Sequence, residues 1–73
     1  MQTVQLQGVG KVKAKPASEF SVGDFMGWNF GHCSLVVGVA KETKSFITYE
    51  LQNPETGDIH ERRLGKSRLV AIG

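Results

Sequence analysis

The chain has 73 residues, nine Lys and Arg against seven Asp and Glu, a formal net charge of +2 and one cysteine. That length holds one core and excludes a second domain, because domains below about 50 residues are rare. A hydrophobic content of 40% with 22% charged residues excludes a wholly disordered chain, the longest apolar run, Leu35 to Ala40, is far below the ~20 residues that cross a bilayer, and a lone Cys33 excludes an internal disulfide or a cysteine-rich zinc site.

The N-terminus lacks the apolar core of a signal peptide, which with the single thiol sets the expectation of a cytoplasmic protein in a reducing compartment. Cys33 is expected as a small buried hydrophobe. Charge is laid out unevenly: residues 1–15 carry Lys11, Lys13 and Lys15 with no acid, residues 62–68 carry Arg62, Arg63, Lys66 and Arg68 with no acid, and all seven acids fall between. A chain of this size buries only about 60% of its unfolded surface, which leaves self-association open and the oligomeric state undecided by the sequence.

In chain order, residues 1–15 read as a basic N-terminal arm or an edge strand. Lys11-Val12-Lys13-Ala14-Lys15 alternates as a half-buried strand does, its lysines facing water, while Gly8 and Gly10 interrupt the pattern. Pro16 ends it, and residues 16–73 are expected to be the folded domain. Ser21-Val22-Gly23-Asp24 predicts a tight turn. In the strand predicted from Phe25, Met26, Trp28 and Phe30 share one face, and Trp28 is expected in the core; Asn29 to His32 turns the chain. Cys33 to Lys41 is apolar on both faces, as suits a central strand, with Gly38 marking a bend or bulge. Ser45 to Gln52 alternates Ile47, Tyr49 and Leu51 with Phe46, Thr48 and Glu50. Asn53 to Asp58 predicts a second reversal, Ile59 to Leu64 a strand whose inner face is left open, Gly65 to Ser67 a short turn and Arg68 to Ile72 the closing strand. No stretch sustains a 3.6-residue period. Five or six short antiparallel strands predict an all-β domain, a small closed or partly open barrel.

Val22-Gly23-Asp24 entering a strand, the Gly31 turn, the Val36-Val37 run, the hairpin at 53–58 and the final Arg68-Leu69-Val70 resemble the SH3-like small barrels, the group that includes Tudor and KOW domains, over roughly residues 18–72. More narrowly, Ala17 to Asp24 with Trp28-Asn29-Phe30-Gly31 is similar to uncharacterised small proteins of bacteria and their phages. That similarity implies a fold and no activity. The Tudor likeness implies an aromatic cage, for which Trp28, Phe30, Phe46 and Tyr49 are the available rings.

No catalytic motif is present: His32 and His60 are far apart in sequence, no serine sits in a nucleophile elbow, and no carboxylate pair has a recognisable spacing. The protein is therefore expected not to be an enzyme and to carry no cofactor. His32 and Cys33 with His60 invite a metal reading, but neighbouring strand residues point to opposite faces, so no metal is expected. Gly65-Lys66-Ser67 and Gly8-Val9-Gly10-Lys11 lack the earlier glycine of a phosphate-binding loop. The expected function is a binding or adaptor module acting through a protein partner, met by an exposed aromatic patch at Trp28, Phe30 and Phe46 or by an open sheet edge. The alternative is RNA or DNA binding through a basic face made by Lys11, Lys13, Arg62, Arg63, Lys66 and Arg68.

Overall fold

A computed structural model describes residues 2–73. It is all-β and antiparallel, with seven strands: β1 Thr3–Leu6, β2 Gly10–Pro16, β3 Phe25–Gly27, β4 Cys33–Glu42, β5 Phe46–Gln52, β6 Ile59–Gly65 and β7 Leu69–Ile72. Their order across the sheet is β1-β2-β7-β3-β4-β5-β6. Two of the expectations are corrected here. There are seven strands rather than five or six, and the ladder ends at β1 and β6 instead of closing into a barrel.

The extra strand comes from the N-terminal stretch. Gly8 and Gly10 do more than interrupt it: at φ 78° and 102° they reverse the chain, and the Val9 N–H donates to the Leu6 carbonyl to close the loop. β1 then pairs back on β2, with Val4 opposite Val12 and Leu6 opposite Gly10. β2 continues onto β7 through Ala14 opposite Ala71 and Pro16 opposite Leu69. The sheet stays open because β6 pairs only with β5, while β7, after a turn at residues 66–68, joins β2 and β3.

β5 shows the period of two most plainly. Ile47, Tyr49 and Leu51 are buried, and with Ala17, Phe20, Met26, Val36, Leu64 and Val70 they form the core. Register fixes the β6 faces that the sequence left open. Leu64, Arg62 and His60 stand opposite Ile47, Tyr49 and Leu51 on the inner side; Arg63, Glu61 and Ile59 stand opposite Thr48, Glu50 and Gln52 on the outer side. In β4 the register slips between Val36 and Gly38 and again between Val39 and Lys41, so the bend expected at Gly38 is present and a second follows it.

A 3-10 turn, Ala17–Glu19, crosses the inner side of the sheet and is held by one buried group. The Tyr49 hydroxyl lies 2.7 Å from the Ala17 carbonyl oxygen and 2.9 Å from that of Phe20, and donates its proton between them. Burial, the largest influence, raises the phenol pKa above its ordinary value, which keeps the donor protonated. Tyr49→Phe keeps the ring but takes the hydroxyl donor from the Phe20 carbonyl and leaves the Ala17 carbonyl only the Phe20 N–H at 3.4 Å. The expected loss is about 1–3 kcal/mol, read as a lower urea midpoint with an unchanged slope.

Asp24 organises the turn before β3. Its carboxylate accepts the Ser21 backbone N–H at 2.9 Å and the Lys15 ammonium at 3.2 Å. The Ser21 bond first and Lys15 second hold its pKa below the ordinary 3.8, against a smaller opposing effect of desolvation. A carboxyl whose folded pKa is depressed contributes stability above its unfolded value and loses it as pH falls through the folded one. Asp24→Asn is therefore expected to be less stable than wild type at neutral pH, the gap closing as pH drops below about 3.8. Urea midpoints measured across that range check it.

Candidate functional site

Trp28 follows β3 in extended conformation and leads into the turn Asn29–Gly31. Its ring is half-buried against the core. The indole N–H donates to the Ser34 hydroxyl at 3.0 Å, and the Arg62 guanidinium lies over the ring 4.4 Å from its centre. Trp28 is thus both packed on the core and capped by a cation. Because Ser34 must face inward to accept the indole proton, its neighbour Cys33 faces outward opposite Gly27. This corrects the expectation of a buried thiol: Cys33 is exposed.

The hairpin loop and the Trp28 turn hold one another. The Asn29 side chain accepts the Gln7 N–H at 3.0 Å, and the Gln7 carbonyl accepts the Phe30 N–H at 2.7 Å. Phe30 sits at φ 63°, a left-handed conformation that costs a non-glycine residue about 1–2 kcal/mol. Its ring lies against Gly8, where an added Cβ would meet the ring at 2.6 Å. The strain persists because these contacts over-determine the turn.

Three depressions meet at Trp28. One, of about 230 Å³, is lined by Trp28, His32, Cys33, Ser34, Glu55 and His60 among others. A second, of about 240 Å³, runs between the hairpin and the sheet, with Leu6, Val9 and Val12 on one wall and Trp28, Ala71 and Ile72 on the other. The third, also about 240 Å³, adds Val4, Arg68 and Leu69. The middle groove is the apolar one, and Val9 and Ile72 at its rim are each 45% exposed. Its floor depends on Gly27, where a side chain would crowd the Ala71 methyl at 3.2 Å.

The residues named from sequence are distributed as follows. Trp28 lines the groove, and Phe30 is exposed beside it, on the loop latch. Phe46 is exposed on the outer face near the end of β6, with Arg63 stacked 4.5 Å from its ring centre, and Tyr49 is fully buried. The four rings therefore do not gather into a cage. Among the basic residues, Lys11 and Lys13 project from the hairpin, Arg62 and Arg63 take opposite faces, and Lys66 pairs with Glu42 at 2.7 Å. Arg68 lines the third depression. They form no continuous stripe. His32, Cys33 and His60 share the first depression, and among the described residues no three His, Cys, Asp or Glu side chains are grouped to hold an ion. Among the described residues no helix is long and apolar enough to cross a membrane. Sequence reasoning missed Val9, Val12 and Ile72 as groove residues, since their juxtaposition needs the hairpin that Gly8 creates.

Compared with known proteins, the chain matches no family model, no curated protein and no solved structure.

Trp28 is the sole tryptophan, so its emission reports this site directly. Arg62→Ala uncovers the ring. The expected result is a shift of emission to longer wavelength and a loss of about 0.5–1 kcal/mol in unfolding free energy, the scale of a surface cation–π contact.

Proposed function

We propose that the protein is a non-enzymatic binding module that takes an apolar segment of a protein partner into the groove between the N-terminal hairpin and Trp28. The observation that carries this reading is the groove itself: aliphatic walls from Leu6, Val9, Val12 and Ile72, an aromatic end at Trp28, and no Asp, Glu, Lys or Arg side chain among the residues that line it. Concave, mostly apolar sites with a few polar groups at the margin are where side chains of a partner are received. Of the three aromatic residues named from sequence, Trp28 would take part directly, Phe30 would hold the rim, and Phe46 would lie outside the contact.

The fold reading that goes with it is the SH3-like one. It is supported by the meander β3-β4-β5-β6, by the return of β7 beside β2 and β3, and by the curved inner side that collects a single core. The hairpin β1–β2 would then be an addition that converts an otherwise bare part of the sheet into a groove. A cytoplasmic setting agrees with an exposed, unpaired thiol at Cys33. Nucleic-acid binding has weaker support, because the cations that would track a phosphate backbone are divided between opposite faces and one of them is paired.

The test is capture of a partner from the source cell by the full chain, at low and high salt, with and without nuclease. The expected partner is a protein, retained at high salt and after nuclease. Val9→Asp, placed at the rim, is expected to weaken the purified complex about tenfold or more, which is roughly 1.4 kcal/mol. Capture that disappears with nuclease, or that falls steeply with salt, overturns the reading in favour of nucleic acid.

A further inference from the structure

The groove uses one end of the sheet; the other end is β6, a strand of seven residues paired with β5 on one side and with no strand on the other. Its backbone polarity is fixed by its flanks. The Asn53 N–H donates to the Asp58 carbonyl, and the Lys66 N–H to the Ser45 carbonyl, so in an antiparallel ladder the even-numbered residues 60, 62 and 64 exchange bonds with β5. Ile59, Glu61, Arg63 and Gly65 alternate with them and turn their N–H groups outward. Gly65 spends its carbonyl on the Arg68 N–H and keeps its own N–H free for the edge.

The side chains on this edge are incomplete within one chain. Glu61 stands directly opposite Glu50, a like-charge cross-strand pair, which disfavours pairing. Glu50 leans away over Gly38. The two ion pairs among the described residues are Lys15–Asp24 and Lys66–Glu42, and neither involves Glu61. Ile59 is 59% exposed and Phe46 41%, and Gly65, next to Phe46 in register, has open space where a side chain would stand.

We propose that a second copy of this chain pairs antiparallel along β6, about a two-fold axis at Arg62. An axis perpendicular to the sheet keeps inner faces together, so only a few registers are available. Centring it on Glu61 sets Glu61 against Glu61, and centring it on Arg63 sets Arg63 against Arg63. Centring it on Arg62 sets Glu61 of each copy against Arg63 of the other, and these residues are the ones with outward backbone groups, so they exchange backbone bonds as well. The same register lays Ile59 of one copy across Gly65 of the other, in the gap beside Phe46. It thus meets the unpaired acid and covers two exposed apolar side chains at once. At the axis the Arg62 side chains face one another, and each guanidinium is already drawn back over its own Trp28.

Sedimentation of the purified full chain over a range of concentrations is the test. A concentration-dependent dimer is expected. Arg63→Glu sets acids against one another and is expected to weaken the dimer at least tenfold, whereas Glu61→Arg combined with Arg63→Glu restores the unlike pairs and the dimer with them. Glu61→Pro removes an outward N–H, not one used by β5, and is expected to give a folded monomer by circular dichroism. A monomer at every concentration overturns the proposal, and so does a dimer indifferent to Arg63→Glu. Val9→Asp is expected to leave the dimer intact, which separates this edge from the groove proposed above.

Discussion

The arrangement depends on a single phenol. The chain passes from β2 to β3 by crossing the inner side of the sheet, and a crossing segment without regular pairing has carbonyls to satisfy in the interior. Tyr49 answers two of them from the centre of β5, while the Ala17 and Ser18 N–H groups are taken by the Arg68 and Lys66 carbonyls. With the crossing pinned in this way, Phe20 closes over the core and β3 starts where it can pair with both β4 and β7. Among the described residues no buried side-chain nitrogen or oxygen lacks a partner, so the buried side chains add no unpaired polar atom to the small core.

Much of the fold was legible from period and punctuation. Ile47, Tyr49 and Leu51 announced the inner face of β5, and the Asn53 to Asp58 turn and the bulge at Gly38 are where the residue types placed them. The misreadings share one physical origin, which is that alternation gives a face only after a partner sets the phase. Cys33 and Ser34 are both small enough for either side, and the Trp28 indole decides between them. Phe30 shares parity with Met26 and Trp28, yet its left-handed backbone takes it out of the strand. Gly8 and Gly10 looked like interruptions because their consequence, a hairpin, depends on pairing between segments that each look weak alone.

The candidate site was legible only in its parts. Trp28, Arg62 and Arg68 stand out by type, but nothing local places Arg62 on the indole. That contact arises because β6 puts Arg62 on the inner face opposite Tyr49 while Arg63, one residue on, stacks on Phe46 outside. A basic cluster in sequence is thereby split in space, and its two arginines become lids on two aromatic rings. The same alternation that builds the core thus sends the neighbouring Arg62 and Arg63 to opposite faces of the sheet.

Two of the hairpin loops differ in a way that bears on how this molecule can be engineered. The loop at residues 53–58 is self-contained: the Asn53 side chain accepts the Glu55 and Thr56 N–H groups, and the Gly57 N–H returns to the Asn53 carbonyl. It is exposed throughout; Asn53, Pro54 and Glu55 form one side of the first depression and the Gly57 carbonyl accepts the Gln52 side-chain N–H, so an epitope or a fluorophore attachment point inserted there disturbs the rim of that depression and leaves the core untouched. The loop at residues 7–9 has a fixed length, because Gln7 must meet both Asn29 and Phe30 while Gly8 lies beneath a ring. Cargo belongs at the first loop; the second is a joint whose spacing the molecule cannot surrender.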